Sequence, residues 1–124
     1  MIDDKTYQKI YDELSKYLLS GWKKIVVYLE YGEGSYAYSL YEKIGDGFTN
    51  GYDLPGVSEK EIDASFRKID KLILKERKKE KGDLWTNMTM IVTKSGDFKA
   101  DFDYTDLSEG TYQFKKNWKK KYLK

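Results

Sequence analysis

Asp101 and Asp103 stand two residues apart in the stretch Phe98-Lys99-Ala100-Asp101-Phe102-Asp103-Tyr104. Side chains along a strand alternate between its faces, so residues two apart share one. Two carboxylates so placed can work as an acid–base pair or hold a divalent cation. Oxygen-binding cations want more ligands than two, however, and no calcium-loop spacing accompanies the pair. The chain has no histidine and no cysteine. The commonest general base, the usual nucleophilic triads and most zinc sites are thereby removed, together with disulfides and thiolate chemistry. Asp101 and Asp103 therefore read as an exposed strand face, either with nothing bound or serving an interaction, rather than a catalytic one, and no catalytic residue, metal or cofactor is expected. Gly32-Glu33-Gly34 and Gly45-Asp46-Gly47 lack the Lys-Ser/Thr and the strand–helix setting of a phosphate loop, and read as turns.

Charge is distributed unevenly around a net value of +2. Asp97, Asp101, Asp103, Asp106 and Glu109 crowd one segment, relieved only by Lys99, while the last ten residues hold six lysines and no acid. Those lysines could neutralise phosphates, and strand tyrosines Tyr28, Tyr36, Tyr38 and Tyr41 could stack on bases. A small domain for single-stranded nucleic acid is therefore the alternative reading. The near-balanced charge and the acidic strand argue against direct nucleic-acid binding. No run approaches the roughly 20 apolar residues of a membrane span. The acidic start, Met1-Ile2-Asp3-Asp4, lacks a signal-peptide core. No membrane partner and a cytoplasmic location are expected.

The elements that must carry these residues follow from periodicity. Tyr7, Ile10, Tyr11, Leu14, Tyr17 and Leu18 mark one face of a first helix, with Asp3 and Asp4 at its start and Ser20-Gly21 at its end. Trp22 opens a strand in which Ile25, Val27, Leu29 and Tyr31 alternate with Val26, Tyr28 and Glu30. A second strand from Ser35 to Tyr41 follows, and Phe48-Thr49 begins a short third. Ser58 with Glu61 forms a capping box, and Val57 with Ile62 a hydrophobic staple, for a helix burying Ile62, Phe66, Ile69, Leu72 and Ile73. The mixed-charge run 75–81 reads as its exposed last turns, with Gly82-Asp83 as its stop. Met88, Met90 and Val92 alternate along a fourth strand and Phe98, Ala100, Phe102 and Tyr104 along a fifth, joined at Lys94-Ser95-Gly96-Asp97. The final helix is expected from about Ser108, with Phe114, Trp118 and Tyr122 as its stripe. The whole is one α+β domain over residues 1–124, in the order α-β-β-(β)-α-β-β-α. Its antiparallel sheet has about five strands, with helices packed mainly on one face.

Several of these motifs occur together in a known order. Tyr7-x-x-Ile10-x-x-x-Leu14 precedes Trp22-Lys23-Lys24-Ile25; later come Trp85, the Gly96-Asp97-Phe98 turn, Phe102-Asp103-Tyr104, and Trp118 through Leu123. The chain resembles the YezG-like immunity proteins in this order. The resemblance implies a cytosolic antitoxin that binds and neutralises a cognate secreted nuclease toxin, either a DNase or an RNase. A nuclease must present cations to phosphates, so an acidic patch could occupy that surface. On this reading the candidate toxin contacts are Asp97, Asp101, Asp103, Asp106 and Glu109, with Glu30, Glu33 and Tyr36 beside them.

Overall fold

Asp3 starts the first helix as its composition suggests: Oδ1 accepts the Thr6 N–H at 2.8 Å, satisfying a donor that has no partner inside the helix. In the computed structural model, which describes residues 2–32, 35–79, 84–108 and 110–124, helix α1 spans Asp4–Leu14. The α-helix ends before the expected Ser20-Gly21 stop, tightening into a 3-10 turn over Ser15–Tyr17. Strands β1 (Trp22–Gly32), β2 (Ser35–Ile44) and β3 (Gly47–Asn50) follow. Helix α2 (Glu59–Lys79), strands β4 (Asn87–Thr93) and β5 (Phe98–Asp103), and helix α3 (Tyr112–Tyr122) complete the chain. The predicted turn residues Glu33 and Gly34, and the predicted stop at Gly82-Asp83, lie outside the described residues.

The strands pair antiparallel in the order β3-β2-β1-β4-β5, giving the expected α+β class and element order. Strand β1 is central and buried on both faces from Ile25 to Leu29. Its odd-numbered residues Ile25, Val27 and Leu29 join Met88, Met90 and Val92 under α1 and α2, which supply Ile10, Leu14, Ile62, Phe66, Ile69 and Ile73. The capping box that starts α2 is formed: Glu61 N–H donates to Ser58 Oγ at 3.2 Å. Two helices therefore share one face. The third lies on the other, where Trp118 packs with Val26, Tyr28 and Tyr41, bordered by Phe114, Tyr122, Phe48 and Ile91.

Two further expectations about the helices change. The mixed-charge run is not wholly solvated. Glu76 is buried and accepts from Thr6 Oγ1 at 2.8 Å. Arg77 stacks over the rings of Tyr31 and Trp85, at 4.7 and 4.6 Å, and donates to the Trp85 carbonyl at 2.6 Å. The last helix starts four residues after Ser108, because Asp106 Oδ1 accepts the Ser108 N–H at 2.9 Å in a local turn. Gly110, at φ +123°, then takes a backbone conformation that other residues rarely adopt.

Trp118 fixes α3 in place. Its indole N–H donates to Thr89 Oγ1 at 2.8 Å, and its ring meets Tyr28 edge-on, with centroids 5.0 Å apart. Trp118→Ala should destabilise the fold by about 3 kcal/mol, from the range for buried aromatic truncations. Urea unfolding followed by far-UV circular dichroism checks the value; a change below half a kilocalorie would mean that α3 is not part of the cooperative fold.

Candidate functional site

The sheet register arranges the acidic residues in rows. On the face that α3 covers, Ala37, Glu30, Asn87 and Asp103 stand opposite one another across β2, β1, β4 and β5. The next row inward is Ser39, Tyr28, Thr89 and Asp101. Adjacent strands lie about 4.8 Å apart, so the backbones at Glu30 and Asp103 are separated by about 10 Å with Asn87 between them.

Each acid in these rows is held by named donors. Tyr28 OH donates to Glu30 Oε1 at 2.6 Å. Asp103 Oδ1 accepts the Thr105 N–H at 2.6 Å. Burial works to raise the Asp103 carboxyl, but hydrogen bonds from Thr105 and Asn87 and the charge of Lys121 hold it below its ordinary value. Asp101 Oδ2 accepts from Tyr122 OH at 2.8 Å and lies 3.6 Å from Lys99 Nζ. Burial first, and then the Asp101 carboxylate, push the Tyr122 hydroxyl up to about 12.

Helix α3 lays its own cations over this face. Lys115 Nζ sits 3.7 Å from the Tyr28 ring centroid and 4.7 Å from that of Trp118, and reaches Ser39 Oγ at 3.5 Å. The acidic strand face is thus a cleft and not an open surface. Between β5 and α3 the space is about 550 Å³, edged by Asn87, Asp101, Asp103, Asn117, Lys121 and Tyr122. A second hollow of about 620 Å³ opens at the adjoining end of the sheet, where Glu30, Tyr36, Arg77, Trp85 and Asp106 converge. Hydrogen bonds from Ser108 hold the exposed Asp106 carboxyl below its ordinary value.

Of the candidate contacts, Glu30, Tyr36 and Asp106 border that hollow. Asp103 stands in the Glu30 row two strands away, with Asp101 one row behind, whereas Tyr36, opposite Tyr31, belongs to the other face of the sheet. Asp97 does not join them. It lies in the β4–β5 turn, six residues up the strand from Asp103 and hence about 20 Å away. Glu33 and Glu109 lie outside the described residues. The four strand tyrosines make no base-stacking platform. Tyr28 and Tyr41 are buried under α3, and Tyr38 lies flat on Phe66 with centroids 4.1 Å apart, whereas Tyr36 is 39% exposed. Among the described residues no three His, Cys, Asp or Glu cluster so as to hold a metal ion, and no helix is long and apolar enough to cross a membrane.

Sequence reasoning passed over Asn87, Arg77 and Lys115. Lys115 had a signal: the spacing 115–118–122 puts it on the same stripe as Trp118 and Tyr122. Arg77 had none, because its partners Tyr31 and Trp85 belong to other elements.

The family model described as "Immunity protein YezG-like" matches residues 4–124, and the chain belongs to that family of immunity proteins. The protein named Immunity protein YezG of Bacillus subtilis is 27% identical over 109 residues, covering 82% of this chain and 72% of its own length. Its namesake from Bacillus spizizenii is 26% identical over 113 residues, covering 82% and 68% respectively.

The position of Lys115 has a consequence for stability. Burial lowers its ammonium from an ordinary value of 10.5 to about 8, while Glu30 partly offsets the shift. Below pH 8 the group is charged in both states, and the folded protein carries the whole burial penalty. As pH rises through 8 the folded form releases the proton and the unfolded chain keeps it, so stability rises with pH. The melting temperature should therefore climb between pH 7.5 and about 9.5 in the native protein and stay flatter in Lys115→Met. Parallel curves for the two proteins would show that Lys115 does not titrate in this window.

Proposed function

We propose that this chain acts in the cytoplasm as the antitoxin of a nuclease, a DNase or an RNase, by covering the surface on which the enzyme binds nucleic acid. No bond is made or broken by the chain itself. Family membership supports the immunity role. The row of Glu30, Asn87 and Asp103, with Asp106 and, from the other face, the exposed Tyr36 at the same end of the sheet, supports the mode of action. A nuclease surface carries cations to hold phosphates. Carboxylates gathered at one end of the sheet would meet those cations with complementary potential and speed the encounter. Tyr36 would supply the partly apolar anchor that charged rims lack.

The acids can be tested without dismantling their surroundings. Glu30→Gln keeps an oxygen for Tyr28 OH, and Asp103→Asn keeps one for the Thr105 N–H, so the double variant removes two charges and retains these hydrogen bonds. Its association rate with the nuclease toxin encoded beside this gene should fall about tenfold at low salt, with the difference shrinking above 0.3 M salt. Stopped-flow binding at several ionic strengths reads both quantities. An unchanged rate at low salt would place the toxin contact away from this row.

A further inference from the structure

The cleft between β5 and α3 holds an acceptor that the protein leaves unused. Asn87 lines this cleft and is only 2% exposed. Its Nδ2 donates to Thr86 Oγ1 at 3.2 Å, and its amide also serves the Asp103 carboxylate. Among the described residues no donor reaches Asn87 Oδ1. Every fully enclosed polar side-chain atom among these residues has a partner, so this oxygen is open to the cleft. An acceptor set that deep favours a ligand that brings it a donor.

Asp103 stands opposite Asn87 on the neighbouring strand. An ionised carboxylate offers about four acceptor positions, and the bonds from Thr105 and Asn87 leave room for another donor. Asp101 lies two residues back, about 7 Å along the strand, and accepts from Tyr122 OH. The facing wall is of a different kind. Phe114, Trp118 and Tyr122 line it as one stripe of α3, with the Trp118 and Tyr122 ring centroids 5.4 Å apart. One wall therefore presents hydrogen-bond acceptors and the other presents aromatic rings.

The charged groups that line the cleft are Lys99, Asp101 and Asp103 from β5 and Lys121 from α3. Their signs balance, so net charge does not choose the occupant. Placement does. The Lys99 side chain is 66% exposed and its ammonium stands beside Asp101, at 3.6 Å. Lys121 is exposed and acts on Asp103 through its charge, with no ion pair between them among the described residues. Of the other α3 lysines, Lys115 is turned to Tyr28 and Ser39, and Lys116, Lys119 and Lys120 do not line the cleft. Among the described residues, then, no cation is in direct contact with the Asp103–Asn87 pair.

We infer that this cleft takes one arginine side chain of the toxin, its guanidinium hydrogen-bonded to Asp103 and to Asn87 Oδ1 and laid against the α3 rings. The inference rests on the antitoxin reading and names what the partner inserts. The backbones at Asp103 and Asn87 are about 5 Å apart across the ladder, a spacing that a planar fork with five donors can bridge. A guanidinium is weakly hydrated and stacks on aromatic faces, so it suits both walls at once. Its bond to a carboxylate is charge-assisted, which a neutral donor cannot match. A lysine ammonium is a compact, strongly hydrated point charge and uses the ring wall and the second acceptor less well.

The first test needs no toxin. N-acetylarginine amide, titrated into the isotope-labelled chain, should shift the NMR signals of the Asn87 side-chain amide and the Trp118 indole N–H, saturating in the low millimolar range. N-acetyllysine amide should bind about tenfold more weakly. Asp103→Asn should weaken the arginine probe about tenfold, whereas Asp46→Asn, which removes one charge from the exposed β2–β3 turn, should leave it unchanged. The second test uses the toxin domain encoded beside this gene, inactivated in its own active site. It should shift the same two signals, and Asn117→Phe, at an exposed position lining the cleft, should weaken its binding about tenfold, while Lys120→Phe should not. An arginine probe that moves neither signal, or a lysine probe that binds equally well, would overturn the arginine site. Tight toxin binding with both signals unmoved would also overturn it and leave the antitoxin reading standing. A toxin that does not bind at all would remove both proposals.

Discussion

The contact between Trp118 and the polar face of the sheet decides what the rest of the surface can do. That face alternates Val26, Tyr28 and Glu30 on β1 with Asn87, Thr89 and Ile91 on β4, too polar to be buried by apolar packing alone. Trp118 resolves the difficulty by matching its ring to Tyr28 and Tyr41 and its one donor to Thr89 Oγ1. Buried donors without partners are costly, so this bond fixes where α3 can rest. With the helix so placed, Asp101 is drawn in beneath Tyr122 while Glu30 and Asp103 remain at the open margin. The cleft and the exposed acids are both products of this single docking event.

A second regularity is the use of tyrosine hydroxyls as donors to carboxylates. Tyr28 serves Glu30, Tyr31 serves Asp70, Tyr38 and Tyr52 serve Asp63, and Tyr122 serves Asp101. Hydrogen bonds to an ionised acceptor are stronger than neutral ones and fix its direction. The rings contribute buried apolar area to two cores at once, which a chain modest in leucine and valine needs. Aromatic side chains thus both pack the sheet and hold its acids in orientation, without neutralising them as lysine or arginine partners would.

Much of this is legible in the sequence. The period-two alternation of β1 and β4, the Ser58–Glu61 box and the 114–118–122 stripe are local patterns that survive into the fold, whereas of the expected β5 set Tyr104 lies beyond the strand and is exposed. What could not be read were pairings across long separations. Glu76 is buried because Thr6, 70 residues away, donates to it, and nothing in a lysine-rich run announces that. The α3 stripe revealed an apolar face but not which side of the sheet it would meet, and that choice turned an open acidic strand into a cleft. Ser108 does not start the last helix, because Asp106 engages its amide. The resemblance to YezG-like proteins was carried by structural motifs, which is why it identified the fold and family more firmly than any contact residue.

The net charge of +2 does not by itself count against an acidic docking face. Potential at a surface is local, since charges in solvent are screened over about 8–10 Å. Lys116 and Lys120 are each two residues from Trp118 and exposed, so they point roughly 200° around the helix from the sheet. An α-helix is about 10 Å across, which puts these ammonium groups at or beyond the screening distance from the Glu30–Asp103 row. Lys115 and Lys121 are the terminal lysines brought to bear on that row, and burial already lowers the charge preference of Lys115. A slightly basic chain can therefore present a negative end to one partner and a positive helix back to solvent. Total charge would then set its solubility, while the placement of α3 sets which sign a partner meets.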